Sequence, residues 1–165
     1  MQTLYYDYLD SPIGSLLLAG DGDFLVELGF PSGKAARRHQ SEWIQYSSPF
    51  DDCKRQLQKY FAGELREFDI PLAPQGTDFQ LQVWNALQTI PYGETVSYGE
   101  LARQIGRPAA SRAVGAANGK NPIPVIIPCH RVIGSSGSLV GFGGGLPTKE
   151  QLLALERDSI APVLL

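Results

Sequence analysis

The chain opens with short apolar runs broken every few residues by turn formers. Leu4-Tyr5-Tyr6-Asp7-Tyr8-Leu9 stops at Asp10-Ser11-Pro12, and Gly14-Ser15-Leu16-Leu17-Leu18-Ala19 follows. Asp21-Gly22-Asp23 then turns the chain into Phe24-Leu25-Val26-Glu27-Leu28. Runs of this length bounded by Gly, Pro and Asp predict strands joined by hairpin turns, here a three-stranded antiparallel meander. The pattern then turns helical. Lys34 to Tyr46 is a charged amphipathic segment that predicts a helix. A second helix from Ser48 or Pro49 sets Cys53, Leu57, Tyr60 and Phe61 on one face, and Gly63 stops it. Residues 69–77, rich in Pro and Gly, read as a linker.

Past the linker, helical patterns dominate. Thr77 or Asp78 can cap a helix carrying Phe79, Val83, Trp84 and Leu87, which ends before Pro91-Tyr92-Gly93. Ser97 caps Tyr98 to Ile105, closed by Gly106, and Ala109 to Asn118 forms a second short helix closed by Gly119. The turn Gly106-Arg107-Pro108-Ala109 between them fits a helix-turn-helix, and it equally fits an ordinary helical hairpin. A last helix runs from Thr148 to about Arg157 with Leu152, Leu153 and Leu155. The expected architecture is α+β. An N-terminal sheet-and-helix lobe occupies residues 1–76, and a mainly helical lobe containing the helix pair occupies residues 77–165.

A chain of 165 residues, 43% hydrophobic and 19% charged, can bury one core or two small lobes. No run approaches the roughly 18 apolar residues of a membrane span. The N-terminus lacks the basic and apolar regions of a secretory signal. Two cysteines, Cys53 and Cys129, cannot build a disulfide scaffold or a four-cysteine zinc site. A reduced, cytoplasmic protein is expected. Charge is strongly uneven. Residues 1–100 hold 7 basic and 14 acidic side chains, net −7, whereas residues 101–149 hold 6 basic and none acidic, net +6. An acid-free stretch of this length is a candidate footprint for a polyanion, although Gly, Pro and Ala also dominate its composition.

Three clusters carry chemistry. The helix Ser111-Arg112-Ala113-Val114-Gly115-Ala116-Ala117-Asn118 is small-sided, with Arg112 as its one long cation. Small residues suit close packing on a neighbouring helix, and they equally suit a helix pressed into a nucleic-acid groove. In the second case Arg112 pairs with phosphate or fills the place of an extruded base. The apolar, proline-punctuated run from Asn121 delivers Cys129 beside His130. A nearby imidazole can generate the thiolate, here through a bridging water because adjacent side chains rarely bond each other. Buried cysteine is also common as inert packing. With His39 the only other histidine, and that in a charged segment, a three- or four-ligand zinc site is not expected. Finally, Gly141-Phe142-Gly143-Gly144-Gly145 lacks the Gly-Lys-Ser/Thr ending of a phosphate loop and suits either a pocket wall over a flat substrate or a surface loop.

Pro128-Cys129-His130-Arg131-Val132, preceded by Asn121-Pro122-Ile123-Pro124 and Arg112-Ala113-Val114-Gly115, resembles the O6-alkylguanine-DNA alkyltransferase family, nearest its short bacterial members. The likeness continues through Ile90-Pro91-Tyr92-Gly93-Glu94, Tyr98-Gly99-Glu100-Leu101-Ala102 and Leu152-Leu153-Ala154-Leu155-Glu156. Over residues 1–76 it is weaker, carried by Ser11-Pro12-Ile13-Gly14 and Tyr60-Phe61-Ala62-Gly63. The resemblance implies a ribonuclease-H-like N-terminal lobe and a C-terminal lobe that binds duplex DNA through its minor groove. There it flips out an O6-alkylated guanine and takes the alkyl group irreversibly, once per molecule, onto Cys129. O4-alkylthymine is a further possible substrate.

The resemblance also implies roles. His130 acts as general base through a water, Glu156 orients it, and Tyr98 gives its proton toward guanine N3. Asn121 holds the turn before the active site, and the carbonyls of Cys129 and Val132 read the guanine amino group. Phe142 and Gly143 line the pocket, at positions where the family often has Tyr and sometimes Ser. Arg112 replaces the flipped base, with Ser111, Ala110, Arg107 and Ser135 near the DNA. Neither a cofactor nor a metal is implied, nor an obligate protein partner; a monomer is expected. Two other classes of function remain in view: a non-catalytic sensor of alkylated bases, and a small cysteine hydrolase indifferent to DNA.

Overall fold

The computed structural model describes residues 2–34, 36–135, 137 and 142–160. Strands β1 (Tyr5–Ser11), β2 (Gly14–Gly20) and β3 (Leu25–Gly29) form the antiparallel meander. Each turn is tied by a side chain. The Ser11 hydroxyl donates to the Gly14 carbonyl at 2.7 Å, and Asp21 Oδ1 accepts the Asp23 and Phe24 N–H groups at 2.9 and 2.8 Å.

Residues 36–46 depart from the helix predicted for Lys34 to Tyr46. The chain there lies along the sheet, and β4 (Ile44–Gln45) joins it parallel to β1, giving the order β3-β2-β1-β4. The backbone donors find sheet-edge acceptors instead of helical ones. Arg37 N–H reaches Phe30 O at 3.1 Å, and Ile44 and Tyr46 N–H reach Leu4 and Tyr6 O, each at 3.0 Å. The aromatic side chains cover the outer face of the sheet, where the His39 ring stacks on Tyr6 at 4.0 Å and Trp43 lies alongside. One apolar side and one charged side mimicked an amphipathic helix, although the segment follows the sheet.

Helix α1 (Asp51–Phe61) follows a single 3₁₀ turn and buries Cys53, Leu57 and Tyr60 at i, i+4 and i+7. The stretch read as a linker is a strap along β3. Leu25 N–H donates to Pro71 O and Ala73 N–H to Leu25 O, both at 2.9 Å. Gly76 is required for contact, since a Cβ there would stand 2.5 Å from the Trp84 ring.

Capping boxes start α2 (Asp78–Leu87), with Thr77 and Gln80, and α3 (Tyr98–Gln104), with Ser97 and Glu100. Gly106, at φ +76°, reverses the chain after α3. The turn is longer than predicted, because α4 (Ser111–Gly119) begins only after Ala110. Trp84 fixes α4 by donating its indole N–H to Ala117 O at 2.8 Å. The short strands β5 (Val96–Ser97) and β6 (Val132–Ile133) pair in parallel. Helix α5 (Leu146–Ile160) extends past both predicted ends. One apolar core runs from Leu16, Leu18 and Leu28 in the sheet through Leu57 and Trp84 to Val114, Ile127 and Leu152. The Leu28 N–H also donates to Pro122 O at 2.8 Å, which joins the sheet to the segment before Cys129. No helix among the described residues is long and apolar enough to cross a membrane.

Candidate active site

The segment between α4 and Cys129 is a rigid coil. Asn121 fastens it from within, with Nδ2 donating to Ile127 O at 2.8 Å and Oδ1 accepting the Ile123 N–H at 3.0 Å. Val125 sits at φ +73°, a left-handed conformation that disfavours β-branched residues. Such a conformation costs about 1–3 kcal/mol and persists only where its surroundings impose it. The coil ends in a buried 3₁₀ turn, Cys129–Arg131, that feeds β6.

Within that turn a buried network converges on Glu156, which α5 delivers 1% exposed. Its Oε2 accepts His130 Nε2–H and the Tyr60 hydroxyl, each at 2.6 Å, and Arg131 Nη2–H at 3.0 Å. Its Oε1 accepts Arg131 Nε–H at 2.8 Å and the Gly93 N–H at 3.1 Å. Burial alone would raise its pKa, but hydrogen bonds and charge from His130 and Arg131 win, so Glu156 stays ionised well below the usual carboxylate range. Burial lowers the pKa of His130 against the opposing pull of Glu156, with Arg131 and Lys149 adding to the lowering. The imidazole is therefore held neutral, the form that can accept a proton. Its Nδ1 is buried and has no hydrogen-bond partner among the described residues.

Cys129 is buried, and burial pushes its thiol up to about 11, against a hydrogen bond from Asn121 and the positive charge of Lys149. It lines a small cavity of about 20 Å³ with Phe30, Asn118, Asn121, Phe142 and Gly143. Beyond lies an open cleft of about 490 Å³ lined by Tyr98, Gly115, Gly119, Lys120, Phe142 and Gly143, with Lys34 and Arg37 on its far side. Phe142 leans on Phe30 at 5.5 Å, so the glycine loop is braced by the sheet lobe. Gly141 lies outside the described residues. Tyr98 begins α3 half-buried. Burial, then the nearby Cys129, push its phenol up against a hydrogen bond from Asn118, which keeps the phenol protonated.

Helix α4 turns one face to this site and one to solvent. Arg112, Ala113, Ala116, Gly119 and Lys120 are exposed, while Val114, Ala117 and Asn118 are buried. Ala117 packs in the core, whereas neither glycine is forced by a neighbour. A Cβ on Gly115 would meet Tyr98 at an ordinary 3.7 Å, and one on Gly119 would meet nothing within 4 Å. Ser111 and Ala110 are half-buried at the helix start, and Ser135 and Arg107 are exposed. Arg107 lies over the Phe79 ring at 5.6 Å.

The structure adds residues that the sequence pattern left unassigned. Lys149 is fully buried and donates to Val132 O at 2.6 Å, which leaves that oxygen's second lone pair. The Cys129 carbonyl, by contrast, already receives both the Val132 N–H and Asn118 Nδ2–H, the latter at 3.4 Å. Arg131 also binds Ile90 O at 2.7 Å through Nη1. Two of the six cations in the acid-free stretch are therefore interior. Only Arg103, Arg107, Arg112 and Lys120 present charge to solvent. A cation inside an apolar run, as Arg131 is, was the available signal. Cys53 packs in the core, where burial pushes its thiol up to about 12. No three or more His, Cys, Asp or Glu side chains converge as a metal site among the described residues.

Two family models match the chain: 6-O-methylguanine DNA methyltransferase, ribonuclease-like domain, over residues 4–74, and 6-O-methylguanine DNA methyltransferase, DNA binding domain, over residues 78–158. A methylated-DNA–protein-cysteine methyltransferase of Methanosarcina acetivorans is 54% identical over 153 residues, covering 93% of this chain and 98% of that protein. The crystal structure of Mycobacterium tuberculosis OGT in complex with DNA superposes with a TM-score of 0.88 at 54% identity, covering 94% of each chain. An O6-methylguanine DNA methyltransferase from Methanococcus jannaschii has the same fold at 26% identity, with a TM-score of 0.66 and 96% of each chain covered.

Proposed function

Because the chain belongs to the 6-O-methylguanine DNA methyltransferase family, we propose that it reverses DNA alkylation directly, moving the alkyl group of O6-alkylguanine onto Cys129. The observation that carries this reading is the buried Cys129-His130 turn, tied to Glu156 and opening on a cavity roofed by Phe142 and Gly143. The partner is double-stranded DNA, whose minor groove receives the exposed, small-sided face of α4. Arg112 occupies the space of the flipped nucleotide, and Ser111, Ala110, Arg107 and Ser135 lie along the backbone. The division of labour follows the two lobes. Residues 77–165 carry DNA binding and transfer, while residues 1–76 brace the pocket through Phe30.

The chemistry balances without a cofactor. At neutral pH Cys129 is a thiol, so its proton must leave as the bond forms. His130 Nδ1 takes it through a water, and Glu156 stabilises the imidazolium. The sulfur–carbon bond forms and the carbon–O6 bond breaks. The leaving guanine takes the Tyr98 proton at N3, and the phenolate is refilled from the imidazolium. The sum is a thioether and an intact guanine, with no route back to the thiol. Gly143 offers its N–H to O6, and the guanine amino group goes to the Val132 carbonyl, because the Cys129 carbonyl already holds two donors. The protein acts as a monomer, in the cytoplasm.

Intact-protein mass spectrometry after incubation with a short duplex bearing O6-methylguanine tests this. We expect one methyl-for-hydrogen mass gain per protein, mapped to Cys129, and none in Cys129→Ser, which still binds the duplex. Binding by the unsubstituted protein with no mass gain would indicate a sensor. Guanine restored in excess of protein, at unchanged mass, would indicate a turnover enzyme.

A further inference from the structure

Tyr60 lies on α1, in the sheet lobe, and is 0% exposed. The sequence pattern assigns it to apolar packing. Its hydroxyl nevertheless donates to Glu156 Oε2 at 2.6 Å, the same oxygen that receives His130 Nε2–H at 2.6 Å. Donors that share one carboxylate oxygen weaken one another, because each withdraws electron density that the others use. We propose that Tyr60 is a positioning residue for alkyl transfer, whose O–H moderates the grip of Glu156 on the His130 imidazole. The sheet lobe then sets the strength of the base in the helical lobe. This rests on the reading of Cys129 as nucleophile and His130 as its base.

The groups that face this relay are accounted for. Arg131, on the His130 turn, is bidentate on Glu156, and Lys149, from α5, is on Val132 O. From the loop after α2, the Tyr92 ring stands 6.2 Å from that of Tyr60, with the Arg131 and Arg66 guanidinium groups over it. Cys129 adjoins His130. Among these, Tyr60 is the group that reaches the His130-facing oxygen from the other lobe. Burial and the Glu156 charge both push its phenol up, so it is a proton donor throughout the working pH range.

Tyr60→Phe removes the O–H and little else. With its carboxylate partner less occupied, His130 should hold a proton more strongly. The acid limb of the pH profile of transfer to Cys129 should then move up by about one pH unit. The loss of transfer should be largest on that acid limb, with DNA affinity unchanged. Site-specific monofluorotyrosine at position 60, a stronger donor, should move the limb the opposite way, and it carries the test if the Phe chain fails to fold. NMR titration of the imidazoles in DNA-free protein gives a readout independent of transfer. The chain has two histidines, so His39 serves as the internal reference. We expect His130 to move in opposite directions in the two variants while His39 stays fixed. Superposable profiles and titrations in all three chains would overturn the proposal and leave Tyr60 as packing. A parent chain that transfers nothing would instead overturn the reading of Cys129, while the titration would still decide the Tyr60 coupling.

Discussion

The outward face of α4 and the turn at Cys129 are neighbours in sequence and are built on opposite rules. On α4 the exposed side chains are short, with Arg112 and Lys120 as the only long ones, and glycine sits where no protein atom requires it. At Cys129–Arg131 nearly everything polar is buried and tied, with five hydrogen bonds ending on the two oxygens of Glu156. On the proposed reading, the α4 face meets a large, variable polyanion and gains from being open and small. A centre that must move one proton gains from having each donor fixed, because a buried polar group left unpaired costs more than a made bond returns. The two kinds of site should therefore fail differently under substitution.

The largest separation is expected from Glu156→Gln. Removing that charge leaves Arg131 buried without its counter-ion and His130 without its partner. Unfolding should become easier by about 3–5 kcal/mol, and transfer should slow at least about 100-fold. Denaturant melts and single-turnover transfer measure the two losses, and a fully stable, fully active variant would dissolve the contrast. Acid should expose the same network. His130 is held below its ordinary 6.5, so the unfolded chain takes up a proton first. Its contribution is complete above about 6.5 and declines as pH falls. Glu156, held below its ordinary 4.5, adds a second loss under that value. Thermal melts should drop from about pH 6.5 downward and steepen below about 4.5; a Tm flat from neutrality to pH 4 would contradict this.

On the α4 side the sign reverses. Ala116→Leu adds bulk to an exposed position. Stability should stay within about 0.5 kcal/mol, while duplex affinity falls about tenfold, measured by titration at fixed salt; undiminished binding would remove α4 from the interface. The smallest effect is expected from Gly115→Ala, whose new methyl meets Tyr98 at an ordinary distance. It should gain up to about 1 kcal/mol in a denaturant melt, because glycine weakens a helix interior. A loss would show that α4 and α3 are closer than ordinary contact.

Where a local rule decides the structure, the sequence is legible. The capping residues Thr77 and Ser97 and the stop at Gly106 mark their elements correctly, and the structure brings Glu156, which the family resemblance implied, onto His130. Where the outcome depends on a partner far along the chain, it is not. Residues 36–46 carry helix-like polarity but are recruited by the edge of β1. Lys149 and Glu156 flank Leu152 on the buried face of α5, where a reading by hydrophobicity would place Leu153 and Leu155. Tyr60 looks apolar because an aromatic ring at a core position gives no hint that its hydroxyl meets a carboxylate 96 residues away.

The position of Glu156 in the chain also orders events during synthesis. Cys129, His130 and Tyr60 all leave the ribosome before α5 does, and the carboxylate that organises them arrives last. A nascent chain that still lacks α5 has no carboxylate on His130 and no lysine on Val132 O. On the proposed reading, the relay that would serve Cys129 is thus assembled last of all its parts.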